Sequence, residues 1–178
     1  MLIDCGSLYN QVIRRLSGVS KHMSDLISGL EGNLKESTKE VIGITFGDNP
    51  EFITPDPSAK GLSSIIAISD GLSGYLALHM TPESACTIAG TMLGDSYPEV
   101  NDIVCDAVGE LTNMLGGSLK KFSGRFGEPF KISVPTIVRG KDYETHAGKD
   151  SEQTLLGVSL GVNTPSMCFT LQLVIYAR

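Results

Sequence analysis

The segment CDAVGELTNMLGG, residues 105–117, decides how the chain is expected to fold. At about 100° per residue, the apolar residues in and around it gather on one side of a helix that we predict from about Pro98 to Phe122. The residues on that side are Ile103, Val104, Ala107, Val108, Leu111, Met114, Leu115, Leu119 and Phe122. Such a helix is expected to bury this side against the core.

A narrow stripe of other residues runs beside the apolar side. Asp106, Glu110, Asn113 and Gly117 fall within about 60° of one another by helix geometry. We call these four residues the polar edge. Glu110 and Asn113, an acid and an amide one turn apart, are either ordinary solvated residues or a catalytic pair. Their spacing alone leaves both interpretations open.

A third face of the same helix carries two glycines, Gly109 and Gly116. Glycine inside a helix costs about 1 kcal/mol relative to alanine. Close approach by another backbone would explain why the helix tolerates that cost.

The segments on the N-terminal side of this helix alternate between helix and strand signals. Apolar spacing predicts a first helix from about Ser7 to Leu30, and EVIGITF, residues 40–46, is predicted as a strand. The proline-rich residues 47–61 are predicted as a loop. Two β-rich runs around an Asp-Gly pair then predict an antiparallel hairpin, SSIIAIS and GYLALHM.

Start and stop signals of a helix are clear in TPESACTIAGTMLG, residues 81–94. Thr81 can cap the N-terminus, Pro82 suits the first turn and Gly94 can end the helix. The last third of the chain holds three more predicted strands, PFKISVPTIV, TLLGVSLGV and MCFTLQLVIY. Strands grouped in runs favour an α+β fold. We expect a mostly antiparallel sheet from two helix-plus-three-strand halves, covered by helices, in one domain spanning residues 1–178.

Composition excludes several classes of protein. Hydrophobic residues make up 41% and charged residues 19% of the 178, which is typical of a globular chain rather than a disordered or fibrous one. A net charge of -6 argues against nucleic acid as a partner. No apolar run approaches the roughly 20 residues of a membrane helix, so we expect a cytoplasmic protein that does not bind membranes.

Cysteine and histidine spacing gives little support for metal or thiol chemistry. The four cysteines are widely separated and form no C-x-x-C pair, and the three histidines lie far from them in sequence. We therefore predict no metal site and treat the cysteines as buried thiols. A cysteine-based hydrolase is the least favoured alternative.

Charge is unevenly distributed around the polar edge. Residues 61–119 contain seven acids and no lysine or arginine, whereas residues 120–149 hold seven of the 14 basic residues. This contrast indicates either a solvated surface or a docking surface for a protein of complementary charge.

The spacing D-x3-E-x2-N-x3-G in the polar edge resembles the signature (D/S)-x3-E-x2-N-x3-G of the CheC, CheX and FliY phosphatases of bacterial chemotaxis. All four positions match. The context is similar as well, because residues 63–94 resemble the paired strands and following helix of CheX, and GEPFKISVPTIVRG resembles the strand after its motif helix. The resemblance covers roughly residues 60 to 178 and implies a CheX-like fold.

The resemblance also implies a function and roles for the polar edge. Asn113 would orient the water that attacks the aspartyl phosphate of a phosphorylated CheY-like receiver, and Glu110 would pair with the receiver's active-site lysine. Asp106 and Gly117 would shape the edge. The family mechanism places Mg²⁺ on the receiver, so we expect no metal or cofactor held by this chain.

Two further expectations concern the number of sites and the assembly. Two-site members of the family carry the motif in both halves, whereas SLYNQVIRRLSG places Ser7, Gln11, Arg14 and Gly18 at the same spacing. The acid and the amide are absent there, which favours a single-site protein like CheX. By analogy we expect a homodimer formed through the sheet. The alternative function is a CheX-like domain that docks a receiver, or only dimerises, without catalysis.

Overall fold

The computed structural model describes residues 21–56, 61–70, 73–121, 130–140 and 154–177. The helices in these ranges are α1 (Lys21–Phe46), α2 (Pro82–Leu93) and α3 (Asp102–Lys120). The strands are β1 (Glu51–Ile53), β2 (Gly61–Ser69), β3 (Ser73–Met80), β4 (Lys131–Ile132), β5 (Thr136–Gly140), β6 (Thr154–Asn163) and β7 (Cys168–Ala177).

The strands form one seven-stranded antiparallel sheet in the order β1-β6-β7-β3-β2-β4, with β5 also paired to β2. The hairpins β2–β3 and β6–β7 meet at the centre of the sheet through β3 and β7. The first half contains β1 to β3 and the second half contains β4 to β7. The two halves exchange strands, because β1 pairs with β6 of the second half while β4 and β5 pair with β2 of the first. The predicted α+β fold with an antiparallel sheet from two related halves is therefore confirmed.

Helices cover this sheet, and the core lies between the two layers. Helix α3 packs over β2, helix α1 packs over β6, and the two helices also contact each other. Leu111 of α3, Ile66 of β2 and Leu76 of β3 are fully buried in this layer. Within the described ranges, no helix is both long and apolar enough to span a membrane.

The strand predicted at residues 40–46 is wrong, because these residues form the last turns of α1. β-branched residues favour a strand locally, but Val41 and Ile42 are buried while Gly43 and Ile44 are exposed, which is a helical pattern. Packing of α1 on the sheet and on α3 thus overrides the local preference. The part of the predicted first helix from 7 to 20 lies outside the described residues.

Two segments of the sheet differ from the predictions because of long-range pairing. Strand β1 lies within the predicted loop 47–61, where it adds an edge to β6. The strand predicted at 129–138 is divided into β4 and β5, which both pair with β2. Between the divided strands, Ser133, Val134 and Pro135 oppose only two residues of β2 and form a bulge. Pro135 cannot donate a backbone hydrogen bond, so the ladder is interrupted there.

The predicted hairpin and the predicted helix at residues 81–94 are confirmed. β2 and β3 pair antiparallel, and Asp70, which follows β2, has a positive φ of 58°. The side chain of Thr81 accepts a hydrogen bond from the backbone N–H of Ser84 at 3.3 Å, and Gly94 ends α2 with φ 71°. These caps satisfy backbone groups that the helix itself leaves unpaired.

Helix α3 is confirmed with a later start than predicted. Asn101 caps it by accepting a hydrogen bond from the N–H of Val104 at 3.0 Å. Most of the predicted apolar side is buried, but Ile103 is 52% exposed. Its position in the first turn of the helix leaves it at the margin of the core. Phe122 lies outside the described residues.

A polar contact joins α1 to α3 near the C-terminal end of both helices. The carboxylate of Glu40 accepts hydrogen bonds from the hydroxyl of Ser118, at 2.6 Å, and from the ammonium of Lys121. The hydrogen bond from Lys121, followed by that from Ser118, lowers the pKa of Glu40. The contact thus fixes how α1 lies beside the helix that carries the polar edge.

Glu40→Gln is expected to lower the free energy of unfolding near neutral pH. Because the folded state lowers the pKa of Glu40, its contribution is present above the ordinary pKa and is lost as the pH falls through the folded value. Urea unfolding of the two proteins across acidic to neutral pH should therefore show a difference that disappears in acid. A difference of equal size at every pH would contradict a role for the Glu40 charge.

Candidate active site

The polar edge lies on the exposed side of α3, where the structure brings its four residues together as predicted. Asp106, Glu110 and Gly117 are exposed, and Asn113 is half-buried. The opposite side of the helix is fixed in the core by Val108, Leu111 and Leu115. The roles predicted for the four residues involve a bound receiver, and they stay predictions.

A buried hydrogen bond anchors α3 between Glu110 and Asn113. The hydroxyl oxygens of Thr112 and Ser64 lie 2.7 Å apart, and both side chains are fully buried. The Thr112 hydroxyl also lies 2.8 Å from the carbonyl oxygen of Val108, one turn back. This connection to β2 restrains the rotation of α3 about its axis, and with it the direction in which the polar edge faces.

The close backbone approach predicted at the two glycines on the third face of α3 is wrong, because their nearest neighbours are side chains and only Gly116 leaves no room for a Cβ. A Cβ at Gly116 would clash with the Cδ1 of Ile66 and lie 3.3 Å from the Cδ1 of Ile132. A Cβ at Gly109 would lie 3.6 Å from the Cβ of Pro135. Helix α3 therefore rests directly on β2 and on the bulge between β4 and β5.

Gly117 differs from these two glycines because nothing in the described structure requires it. A Cβ added at Gly117 would meet no heavy atom within 4 Å. The missing side chain leaves the last turn of the polar edge bare beside Asn113. A flat helix surface of this kind allows another molecule to approach the helix backbone closely.

Glu110 and Asn113 are available for contacts with a partner. Among the described residues, neither side chain has a hydrogen-bond or ion-pair partner. An amide can both donate and accept a hydrogen bond, and a carboxylate accepts bonds from a cation such as an ammonium group. The polar edge can therefore hold one water molecule and one cation in adjacent positions.

An arginine from β5 occupies the side of α3 near its start. The guanidinium of Arg139 lies 2.9 Å from the Sγ of Cys105 and 3.2 Å from a carboxylate oxygen of Asp102. These contacts, the one with Cys105 foremost, raise the pKa of Arg139. Arg139 therefore stays cationic and joins β5 to α3. Cys105 is buried beneath it, consistent with a packing role for this thiol.

Two apolar side chains next to the segments that carry or contact α3 are exposed, which the sequence did not predict. Ile103 is 52% exposed and precedes Asp106 by one turn, while Val134 is 82% exposed in the bulge next to Pro135. Ser133 holds the bulge in place, because its N–H donates to the carbonyl of Ala67 and its hydroxyl oxygen accepts from the N–H of Ala67, both at 2.9 Å. The proline inside an apolar run was the signal for this bulge.

The chemistry of this surface comes from the side chains of the polar edge. The described residues contain no group of three or more histidine, cysteine, aspartate or glutamate side chains that could hold a metal ion. What the polar edge presents is an amide, two carboxylates and bare helix backbone, framed by Ile103 and Val134. Such a surface can bind a folded partner and position a water molecule.

The fold and the spacing of the polar edge agree with the class of proteins that contains CheC, CheX and FliY. The chain belongs to the CheX family, since the family model described as "Chemotaxis phosphatase CheX" matches residues 62–159, more than half of the chain. That match includes β2, β3, the helices α2 and α3 and the whole polar edge.

Individual relatives agree with this assignment. The chain is 28% identical over 119 residues to the CheY-P phosphatase CheX of Thermotoga maritima, which covers 66% of this chain and 77% of that protein. It is also similar to the crystal structure of CheX from Desulfovibrio desulfuricans, with a TM-score of 0.67, 20% identity and coverage of 82% of this chain and 98% of that one. A CheX–CheY–BeF3–Mg²⁺ complex from Borrelia burgdorferi gives a TM-score of 0.65 at 17% identity, with coverage of 83% and 97%.

Thr112→Val is expected to lower the free energy of unfolding by about 1–3 kcal/mol, because it leaves the buried hydroxyl of Ser64 without its partner on α3. Urea denaturation followed by circular dichroism measures the change. Thr112→Ser keeps the hydroxyl and is the matched control. Equal stability of Thr112→Val and the wild type would show that the hydrogen bond does not anchor α3.

Proposed function

We propose that this protein hydrolyses the aspartyl phosphate of a phosphorylated CheY-like receiver, with Asn113 and Glu110 as the residues that act on it. The observation that carries the proposal is the polar edge itself. Its complete motif lies on an exposed helix side whose amide and carboxylate have no partners in the described part of the chain. Membership of the CheX family and the CheX–CheY complex among its structural neighbours support a receiver as the partner.

The proposed reaction needs a correctly placed water rather than a strong base. In the receiver, phosphorus is bonded to a carboxylate oxygen of aspartate, and that bond breaks as the water oxygen bonds to phosphorus. The products are the free carboxylate and inorganic phosphate, which retains the protons of the water apart from those it exchanges with solvent. Phosphoryl transfer passes through a loose transition state in most analyses, so in-line placement of the water is the main requirement.

Asn113 is suited to placing this water. Its amide oxygen can accept a hydrogen bond from the water while its NH2 group donates one elsewhere. The amide can therefore fix the direction of the water's lone pair. Asn113 is half-buried on α3, and the Thr112–Ser64 hydrogen bond restrains the helix next to it. Because the helix backbone at Asn113 is already restrained, less of the site has to become ordered when the receiver binds.

Glu110 is suited to seating the receiver. Its exposed carboxylate lies one turn from Asn113. It would pair with the lysine that the family mechanism places in the receiver's active site. The pair would form in a surface from which the partner excludes water, where a charge-assisted hydrogen bond is stronger than in solvent. Mg²⁺ would enter as part of the receiver substrate, and the homodimer and the cytoplasmic location stay predictions.

Asn113→Ala is expected to reduce the rate at which a phosphorylated receiver loses its phosphate by about 10²-fold at saturating receiver, because the water is no longer oriented. Glu110→Ala is expected to weaken receiver binding as well. Decay of the phosphorylated cognate receiver, followed in single turnovers with increasing enzyme, separates the two effects. Glu99→Ala, which removes an exposed acid outside the polar edge, is the control and should behave as the wild type.

The same assay separates the proposed enzyme from the alternative adaptor. An adaptor would bind the receiver and leave the decay rate at the value of the receiver alone. Acceleration by the wild type with no loss in Asn113→Ala would contradict the mechanism proposed for the polar edge, while the family assignment would stand.

Gly117→Ala is expected to stabilise the protein by about 1 kcal/mol, since alanine favours a helix and the new methyl group meets nothing within 4 Å. The same variant is expected to lower kcat/KM for the receiver by about tenfold or more, because a shift on the order of 1 Å at the reacting groups can cost about 10²-fold. Gly29→Ala is the matched control, because Gly29 is an exposed residue of α1 and a Cβ added there also meets no heavy atom within 4 Å. If both variants keep full activity, Gly117 provides no clearance for a partner.

A further inference from the structure

Helix α1 occupies the place in the first half of the fold that α3 occupies in the second. Helix α3 packs over β2 and precedes a strand that pairs with β2. Helix α1 packs over β6 and precedes β1, which pairs with β6. Because β2 and β6 hold equivalent places in the sheet, the two helices are related by the internal symmetry of the fold.

The sequences of the two helices match once this symmetry sets the register. ESTKEVIG, residues 36–43, lies where α3 has ELTNMLGG, residues 110–117. The alignment places Glu36 on Glu110, Thr38 on Thr112 and Gly43 on Gly117, while Lys39 stands in the place of Asn113. The first helix thus carries E-x2-K-x3-G where the polar edge has E-x2-N-x3-G. This register replaces the comparison at Ser7–Gly18, which lies outside the described residues.

Burial supports the same register residue by residue. From 32 to 43 and from 106 to 117, the buried, half-buried and exposed positions follow one pattern, which differs only at Lys35 against Gly109 and at Lys39 against Asn113. The hydroxyl of Thr38 donates to the carbonyl of Leu34 at 2.7 Å, as that of Thr112 lies 2.8 Å from the carbonyl of Val108. Both threonines are fully buried.

The exposed residues of this pattern, Gly32, Glu36, Lys39 and Gly43, form what we call the α1 edge. Within it, Gly32 stands in the place of Asp106 and Lys39 in the place of Asn113. Lys35 lies beside the edge, where α3 has Gly109. Lys39 lies 3.6 Å from the carboxylate of Glu36, and the ammonium groups of Lys35 and Lys39 lie 5.7 and 6.0 Å from the ring centre of Phe52. The carboxylate of the α1 edge therefore has a cation of its own, unlike Glu110.

We infer that the α1 edge is a second copy of the receiver-directed motif, made inactive by Lys39 at the position of the water-orienting asparagine. This inference rests on the proposed function of the polar edge. An ammonium group only donates hydrogen bonds, so it cannot accept a hydrogen bond from the attacking water as an amide oxygen does. Pairing with Lys39 also competes with a receiver lysine for Glu36. One substitution, Lys39→Asn, completes E-x2-N-x3-G on α1.

The test is a gain of activity in a protein whose polar edge is disabled. Asn113→Ala is expected to lower the activity of the polar edge to the low level described above. The double variant Asn113→Ala with Lys39→Asn is expected to dephosphorylate the receiver on the order of tenfold faster than Asn113→Ala alone. Recovery is expected to be partial, because Lys35 stands where α3 has Gly109 and geometry that is not optimised costs rate. Adding Glu36→Gln to the recovered protein should reduce the gain again.

The matched control is Asn113→Ala with Lys39→Ala, which removes the same charge without supplying an amide. Equal rates for the asparagine and alanine versions would overturn the inference, and so would no gain in a double variant with wild-type circular dichroism and unfolding. The wild type and Asn113→Ala are measured in the same series. If the wild type itself does not accelerate the decay, the proposed function fails and the inference fails with it; if only the double variant is inactive, the proposed function stands alone.

Discussion

The structure depends on how closely α3 lies on the sheet. Gly116 allows Ile66 of β2 to approach the helix backbone, and Pro135 of the bulge packs on the same face of α3 at Gly109. Such packing leaves no room for α3 to rotate without losing apolar contacts, since protein interiors are close-packed. The buried Thr112–Ser64 hydrogen bond adds a directional restraint. One narrow stripe of α3 is thereby directed to solvent, and the polar edge occupies it.

This arrangement suits an enzyme whose substrate is another folded protein. In the proposed reaction the receiver brings the phosphorylated aspartate and its Mg²⁺, while this chain contributes one amide, one carboxylate and a bare stretch of helix. Because these groups lie on a rigid helix rather than a loop, little ordering is required when the receiver binds. Val134 and Ile103 offer apolar contact on the flanks of the same surface.

Local signals in the sequence predicted the elements that carry the site. Caps and apolar spacing located α2 and α3, and helix geometry placed Asp106, Glu110, Asn113 and Gly117 on one edge. Other features depend on contacts between distant segments. Residues 40–46 are helical because they pack on the core, and β1 exists because β6 pairs with it. The exposure of Val134 likewise follows from the pairing of β4 and β5 with β2, which no local pattern specifies.

The relation between α1 and α3 also needed the fold. Three identical residues in two helices are too few to set a register by sequence, but the pairing of β1 and β5 with strands of the other half determines which helix positions are equivalent. Differences between the halves then acquire a physical meaning. Lys39 of the α1 edge and the neighbouring Lys35 stand where α3 has Asn113 and Gly109. One side of the fold therefore presents cations where the other presents a neutral amide and bare backbone.

The central claim is that a receiver docks on the polar edge with its phosphorylation site at Asn113. A crystal structure of this protein with its cognate receiver, activated by BeF3 and Mg²⁺, tests that claim most directly. The account predicts a receiver lysine in hydrogen-bond contact with the carboxylate of Glu110, and the Asn113 amide beside the beryllofluoride with a water between them or space for one. A receiver bound with its phosphorylation site away from α3 would contradict it.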